Sequence, residues 1–287
     1  MTKKVDIPNK SLQIPKVITR TAKLLQAISP KLATLFAAKL FTTPLKHSIP
    51  KRELHMEQNS IQEKLWIPKI NKEINLYHYG ESKKKILLVH GWSGRGTQLF
   101  KIADELLKNG FSTISFDAPA HGKSGSKTTL MPEFIASILE IEKQFGPFEF
   151  AIGHSLGSMS ILNAIKEGLQ LKKAVIIGSG DIIQDMIDDF VLKLELKPQI
   201  ALMMKTHFEQ KHKVLMENYS ASTAAQSVKI PVLIIHDKND DEIPAQAAHN
   251  IHQNIENGAL FITEKLGHRK ILGDKKVIEN IINFISN

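Results

Sequence analysis

The sequence predicts an α/β fold with a mostly parallel central sheet and helices on both of its faces. Short apolar runs alternate with amphipathic stretches of helical spacing from about residue 65 to the end of the chain. The run over residues 84–92 is almost continuously apolar, which is typical of a strand buried on both faces. With 287 residues and a hydrophobic fraction of 42%, the chain is long and apolar enough for one large domain.

The predicted elements follow one another in a regular order. Two short strands, "KLWIPK" and "INLYHYG", are expected to form a hairpin at an edge of the sheet. The later strands are predicted at residues 84–92, 111–119, 148–155, 172–180, 232–237 and 259–267. Helices are predicted at residues 97–110, 132–146, 156–169, 244–255 and 275–287. Residues 181–229 show no strand pattern and predict a helical lid, inserted before the seventh strand.

The net charge of +9 is confined to one part of the chain. The stretch from Ile7 to Arg52 contains nine basic residues and no acidic residue, whereas the chain from Glu53 onward carries a net charge of −1. We therefore divide the chain into a basic helical arm, residues 1–60, and a main domain, residues 61–287. Because the main domain is almost neutral, the composition argues against nucleic acid as its partner.

Apolar residues recur with helical spacing in the arm, and Ser29 and Pro30 mark the start of a second helix. The favoured interpretation is that both helices pack their apolar faces on the main domain. A peripheral contact with anionic lipid and an organelle-targeting peptide are the alternatives. No apolar run approaches the roughly 20 residues that span a bilayer, and no secretory signal is evident. The chain has no cysteine, which excludes disulfides, and we expect a cytoplasmic protein.

One serine lies where a predicted buried strand runs directly into a helix. Ser155 is flanked by Gly153 and Gly157 in a G-x-S-x-G pattern. A sharp strand-to-helix turn needs small neighbours, and it exposes the serine hydroxyl at the carboxyl edge of the sheet. The backbone N–H groups at the start of the helix favour negative charge at the same place. Ser155 is therefore the candidate nucleophile.

A serine nucleophile requires a base, normally a histidine that is oriented by a carboxylate. His268 follows the last predicted strand and precedes the last helix, again at the carboxyl edge of the sheet. The acid is expected at the end of another strand, and the stretch "VLIIHDKNDDEIP" offers four candidates: Asp237, Asp240, Asp241 and Glu242. The resulting order of serine, acid and histidine is the one that hydrolases of this architecture use.

Five stretches together carry a family resemblance: "HGWSG", "FDAPAHGKSG", "GHSLG", "HDKNDDEIP" and "EKLGHRKIL". With them, the chain resembles the α/β-hydrolase superfamily from about Leu65 to Asn287. The resemblance implies that Asp240 is the triad acid, with Asp237 as the alternative. It also implies that the backbone amides of Trp92 and Leu156 form an oxyanion hole.

The resemblance assigns structural roles to further polar residues of these motifs. It implies that the loop with Asp117 and His121 is structural, and we expect His90 to order its own loop. His154, beside the candidate nucleophile, is expected to line the pocket.

We expect hydrolysis of a carboxylic ester through an acyl-enzyme, with no cofactor and no metal. The substrate class is a small-molecule ester or a lipid-like ester. A lysophospholipase, a monoacylglycerol lipase or a thioesterase acting at a membrane surface is an alternative, because the same machinery serves several substrates. A non-catalytic, ligand-binding member of the fold is the alternative of another class. The sequence does not determine the oligomeric state.

Overall fold

A computed structural model describes residues 14–287. Its strands are β1 (Ile61–Ile67), β2 (Lys72–Tyr79), β3 (Lys85–Val89), β4 (Ser112–Asp117), β5 (Phe150–His154), β6 (Lys173–Ile177), β7 (Val232–Asp237) and β8 (Gly258–Thr263). Its first six helices are α1 (Lys16–Ile28), α2 (Pro30–Phe41), α3 (Leu54–Gln58), α4 (Phe100–Lys108), α5 (Met131–Phe145) and α6 (Leu156–Lys166). The others are α7 (Ile183–Lys193), α8 (Gln199–His212), α9 (Ala221–Ala225), α10 (Gln246–Asn254), α11 (Gly267–Lys270) and α12 (Lys275–Ser286).

The eight strands form one sheet in the order β1-β2-β4-β3-β5-β6-β7-β8. Strand β1 pairs antiparallel with β2, and β2 pairs antiparallel with β4, whereas β3 to β8 are all parallel. The predicted fold class is confirmed, and so is the antiparallel hairpin at the sheet edge. Because β3 to β8 are parallel, their carboxyl ends meet at one edge, where ligands bind in such folds.

Two separate apolar cores explain why the parallel strands are so hydrophobic. Helices α5, α6, α9 and α10 contribute to one core, and α4 and α12 contribute to the other. Alternate side chains of β3 divide between them: Leu87 and Val89 belong to the first core, and Ile86 and Leu88 to the second. The sheet is therefore covered on both faces, as the sequence predicts.

Five of the strands, β3 to β6 and β8, are shorter than the sequence predicts because loops begin inside the predicted ranges. The run over residues 84–92 yields a strand that ends at Val89, and His90 to Trp92 already belong to a loop. The run over residues 148–155 ends as a strand at His154, and Ser155 is the turn into α6. In both places the residues beyond the strand end lie at the carboxyl edge of the sheet.

Helices α1, α2, α7 and α8, here called the accessory helices, form a third apolar cluster. Buried alanines of α1 and α2, including Ala22, Ala33 and Ala37, lie among larger side chains of α7 and α8 such as Ile187 and Met204. Small residues on one side of a contact let helices approach closely. The arm therefore packs on the helices between β6 and β7. The part of the predicted arm before Ile14 lies outside the described residues.

Polar contacts also fasten the arm, one from α1 and one from the segment after α2. Lys23 of α1 forms an ion pair with Glu195, just beyond α7. After α2, the buried carboxylate of Glu53 accepts hydrogen bonds from Arg95 Nε at 2.7 Å and from Thr97 Oγ1 at 2.9 Å. These two residues belong to the loop after β3, so the chain leaving the arm is tied to a loop at the carboxyl edge of the sheet. Within residues 14–287, no helix combines the length and the hydropathy needed to cross a bilayer.

Candidate active site

The turn between β5 and α6 has the geometry that the sequence predicts for a nucleophile elbow. Ser155 has φ 53° and ψ −119°, a backbone conformation that is strained for a residue with a side chain. A Cβ atom on Gly153 would lie 2.7 Å from Ser158 N, and one on Gly157 would lie 2.3 Å from Val89 O. Both neighbours must therefore be glycine, because the start of α6 leaves no room for a side chain at Gly153 and the end of β3 leaves none at Gly157.

The loop after β3 lies directly against Ser155. A Cβ atom on Gly91 would be only 2.9 Å from Ser155 Cβ, so the backbone of this loop is in contact with the serine side chain. In the described part of the chain, the backbone N–H groups of Trp92 and Leu156 donate no hydrogen bond. These two groups are the predicted oxyanion donors. Leu156 follows Ser155 in the chain, and Trp92 follows the loop glycine that contacts the serine.

His268 and Asp240 form a buried, hydrogen-bonded pair. His268 Nδ1 lies 2.7 Å from Asp240 Oδ2, and Asp240 Oδ1 accepts from the backbone N–H groups of Glu242 at 2.8 Å and Ile243 at 2.9 Å. Burial alone would raise the pKa of the Asp240 carboxyl. The hydrogen bond and charge of His268, with the two backbone donors, outweigh burial and lower this pKa below its ordinary value.

An ionised Asp240 accepts the proton of His268 Nδ1. A neutral His268 in this tautomer has its lone pair on Nε2, where it can accept a proton.

Ser155 and His268 both border the end of β6. The backbone N–H of Ser155 donates to Ile177 O at 2.9 Å. The next residue is Gly178, and a Cβ atom on it would lie 3.3 Å from His268 Nδ1. Within residues 14–287, no hydrogen bond joins Ser155 Oγ to the His268 ring. Such contacts are often long before a substrate binds and shorten in the complex.

The structure separates the four acidic residues at the end of β7 and in the loop after it. Asp237 accepts hydrogen bonds from Thr263 Oγ1 at 2.7 Å and from the backbone N–H of Leu266 at 3.0 Å, so it orders the loop that leads to His268. Asp241 is exposed. Glu242 Oε2 lies 3.9 Å from His268 Nε2, and its other carboxylate oxygen lies 3.0 Å from Arg269. Of the four, Asp240 is the residue hydrogen-bonded to His268 Nδ1.

His154, the residue before Ser155, has a different place from the expected pocket lining. Its side chain is buried, with 2% of the residue exposed, and its Nε2 donates to the backbone carbonyl of His268 at 2.9 Å. Burial lowers the pKa of His154 to about 3, so the ring is neutral and can serve as this donor. The sequence singles out His154 as the neighbour of Ser155 but does not predict this contact, because the two histidines are 114 positions apart.

Two further buried histidines order the loops beside Ser155. The backbone N–H of Ala118 donates to His90 Nε2 at 3.0 Å, and that of Ser93 donates to His121 Nε2 at 3.0 Å. Each ring bonds a backbone carbonyl through its Nδ1, at 2.6 Å to Gly91 and at 3.1 Å to Pro119. If either ring were doubly protonated, its Nε2–H would point at the backbone N–H that Nε2 now accepts. Both rings must therefore be neutral.

Asp117 closes the same loop region through backbone and side-chain donors. Its carboxylate accepts from Gly96 N and Lys123 N, both at 2.7 Å, and from Tyr77 Oη at 2.9 Å. Ala120 has φ 67° in this loop, a conformation that glycine adopts with less strain. Among residues 14–287, no group of three His, Asp or Glu side chains is arranged to hold a metal ion.

Comparison with known proteins agrees with this architecture. A family profile described as "alpha/beta hydrolase fold" matches residues 84–199, and a second, described as "TAP-like protein", matches residues 211–287. The chain belongs to the α/β-hydrolase superfamily. In sequence, the chain matches no curated protein.

Solved structures of the superfamily share the fold at low sequence identity. An esterase from Exiguobacterium antarcticum is 17% identical with a TM-score of 0.63, over 79% of this chain and 100% of its own. An esterase from Pyrococcus furiosus is 17% identical with a TM-score of 0.62, over 85% and 96% of the two chains. A bromoperoxidase from Bacillus anthracis is 16% identical with a TM-score of 0.61, over 79% and 100%. These neighbours and the family matches support a hydrolase.

The buried neutral histidines make the free energy of unfolding depend on pH. Burial lowers the pKa of His90 to about 4 and, with the charge of His90 also acting, lowers that of His121 to about 3. The unfolded chain binds protons at these rings below about pH 6.5, while the native rings stay neutral. With His154 included, stability should fall by roughly 4 kcal/mol per pH unit between about pH 6 and pH 5.

Urea unfolding at several pH values measures this slope. His121→Gln removes one of these rings and should reduce the slope by about 1.4 kcal/mol per pH unit. His47→Gln, at an exposed position, is the matched control and should leave it unchanged. An equal slope in wild type and His121→Gln would contradict the neutral assignment of His121.

Proposed function

We propose that this protein is a serine hydrolase that cleaves a carboxylic ester through an acyl-enzyme intermediate. One observation carries the proposal. A serine with strained backbone angles stands at the end of β5, and a buried carboxylate–histidine pair borders the end of the adjacent strand β6. A structural turn serine would have no need of such a pair beside it.

The proposed reaction begins when Ser155 Oγ attacks the ester carbonyl carbon and its proton passes to His268 Nε2. The carbonyl oxygen becomes an oxyanion, which accepts hydrogen bonds from the backbone N–H groups of Trp92 and Leu156. When the C–O bond breaks, His268 gives its proton to the leaving alkoxide, and the alcohol departs. Water then attacks the acyl-enzyme in the same way, which releases the carboxylic acid and restores Ser155.

Asp240 acts in this scheme by holding the ring of His268 and by stabilising the imidazolium that forms. Its own two backbone donors and its depressed pKa keep the carboxylate ionised. The start of α6 adds the positive end of a helix dipole to the oxyanion site. Removing one oxyanion donor typically costs about 3–4 kcal/mol of transition-state stabilisation.

We propose a small-molecule or lipid-like ester as the substrate class. Support comes from the esterases described above, which share the fold of this chain. A thioester, a lysophospholipid or a monoacylglycerol would suit the same groups, because fold and triad do not specify the leaving group. The bromoperoxidase neighbour illustrates the same point. A non-catalytic, ligand-binding protein is the proposal's competitor of another class.

Hydrolysis of p-nitrophenyl esters of increasing acyl length tests the proposal. We expect the wild type to release nitrophenol and to react with a fluorophosphonate probe at Ser155. Ser155→Ala should lose both, with kcat reduced at least about 10³-fold, because the covalent step is removed. The preferred acyl length distinguishes a small-ester esterase from a lipid hydrolase. Folded wild type that shows neither turnover nor labelling would support the ligand-binding competitor.

Two aspartates, one at the end of β7 and one in the loop after it, form a matched pair for the same assay. Asp240→Asn should lower kcat by about 10³–10⁴-fold, because an amide does not stabilise the imidazolium and favours the wrong tautomer. Asp237→Asn should retain most of the turnover and lower the melting temperature, because Asp237 bonds loop groups rather than His268. A larger loss of kcat in Asp237→Asn than in Asp240→Asn would assign the acid to Asp237.

Gly178 offers a test of how closely the end of β6 holds His268. Its φ is 56°, and an alanine methyl group would lie 3.3 Å from His268 Nδ1. Gly178→Ala should therefore displace the ring and lower kcat by about 10-fold or more. Gly110→Ala is the control, since Gly110 also has a positive φ, 81°, but a methyl group there would have no atom of residues 14–287 within 4 Å beyond its immediate neighbours. Equal losses of kcat in the two variants would show that backbone strain alone is responsible.

A further inference from the structure

Helix α1 has two apolar faces, and only one of them is covered by the described residues. Ile18, Ala22 and Leu25 belong to the cluster formed with α2, α7 and α8. Val17 and Leu24 are seven residues apart and Ile28 is four residues further, so these three side chains share one line along the helix. They are 72%, 63% and 66% exposed, respectively. We call Val17, Leu24 and Ile28 the outer face of α1.

Exposed apolar side chains are concentrated on the accessory helices. Of the 13 large hydrophobic residues that are exposed among the described residues, seven lie on these four helices. Besides the outer face of α1, they are Leu32, Leu35, Leu192 and Leu202. Single exposed apolar residues are normal on a soluble protein. Three exposed apolar residues on one line of a single helix indicate a surface that contacts a partner protein or a membrane.

Helices α1 and α2 carry charged side chains of one sign only. Helices α1 and α2 carry five exposed cations and no acidic residue: Lys16, Arg20, Lys23, Lys31 and Lys39. Lys23 is paired with Glu195. The acidic residues within the accessory helices, apart from Glu209 of α8, lie on α7 at Asp185, Asp188 and Asp189. On α1, an apolar line lies beside cations. Such a helix suits a surface whose outer groups are anionic and whose interior is apolar, because the cations pair with the anionic groups and the apolar side chains enter the interior.

We infer that the outer face of α1 binds the surface of an anionic lipid bilayer. The helix lies in the plane of the membrane, with Val17, Leu24 and Ile28 at the boundary between head groups and acyl chains. Arg20 and Lys31 contact the lipid phosphates. The inner face of α1 remains packed on the other accessory helices, so the main domain is held at the membrane through the arm.

Two other occupants fit this face less well. Nucleic acid would match the cations but not the apolar line between them, because its backbone offers only charge to such a surface. A symmetric contact with a second copy would bring the same cations together, and their repulsion opposes it. An anionic bilayer satisfies both the apolar and the charged groups.

Sedimentation of the full-length protein with vesicles tests this binding and needs no substrate. One set of vesicles is phosphatidylcholine alone, and the other contains equal parts of phosphatidylcholine and phosphatidylglycerol. We expect the wild type to sediment with the anionic vesicles and to be released as the salt concentration rises. Ser155→Ala should bind equally well, so failure of ester hydrolysis leaves this result interpretable.

Three variants locate the surface. The triple variant replaces the outer face with glutamine (Val17→Gln/Leu24→Gln/Ile28→Gln). It should lower the partition coefficient on anionic vesicles by about tenfold or more, because it removes the apolar contacts. Arg20→Gln/Lys31→Gln should lower it as well and should weaken its dependence on salt. Ile61→Gln/Leu215→Gln is the matched control, since these residues are 74% and 57% exposed outside the accessory helices. Circular dichroism checks that each variant retains its helices.

Any of three results would overturn the inference. The first is wild type that stays in the supernatant with anionic vesicles, and the second is a triple variant that binds them as tightly as the wild type. The third is concentration-dependent self-association in sedimentation velocity without lipid that the triple variant abolishes. That third result would assign the outer face to another copy of this chain.

Discussion

The close packing of the Ser155 turn between two strand ends is the constraint on which the candidate site depends. The turn has a positive φ, and Gly157 fits against the end of β3 only because it has no side chain. The backbone N–H of Ser155 is bonded to the end of β6. Strain of this kind persists only where the surrounding structure fixes it. The two fully buried cores that hold β3, β5 and β6 together supply that rigidity.

Neutral histidines also hold the loops around the candidate site in place. His90 and His121 accept backbone N–H groups and bond carbonyls, so they act as rigid pieces of loop structure rather than as bases. His154 bonds the backbone carbonyl of His268 and links the elbow to the loop that carries the proposed base. Of these four rings, His268 alone bonds a carboxylate through Nδ1. The different partners, not the residue type, give the histidines different roles.

The arm packs on the main domain and also carries the surface proposed above to bind lipid. Its inner faces pack on α7 and α8, which satisfies the structural interpretation, while the outer face of α1 stays exposed and apolar. A helix with apolar residues on two sides can be part of a core and still meet another surface. Because α7 and α8 lie between β6 and β7, the arm is attached to the segment that follows β6 at the carboxyl edge of the sheet.

The sequence by itself determined the α/β fold, the hairpin edge and the position of Ser155 at a strand-to-helix turn, because these depend on local periodicity and on glycine spacing. It also placed His268 between the last strand and the last helix, since the order of these elements follows from their apolar patterns even where their exact ends do not. Only the tertiary structure decided which of the acidic residues at the end of β7 and beyond it meets His268, that His154 bonds the backbone of His268, and that Gly178 lies against its ring. Those contacts join segments far apart in the chain, and their geometry depends on how parallel strands bring their ends together.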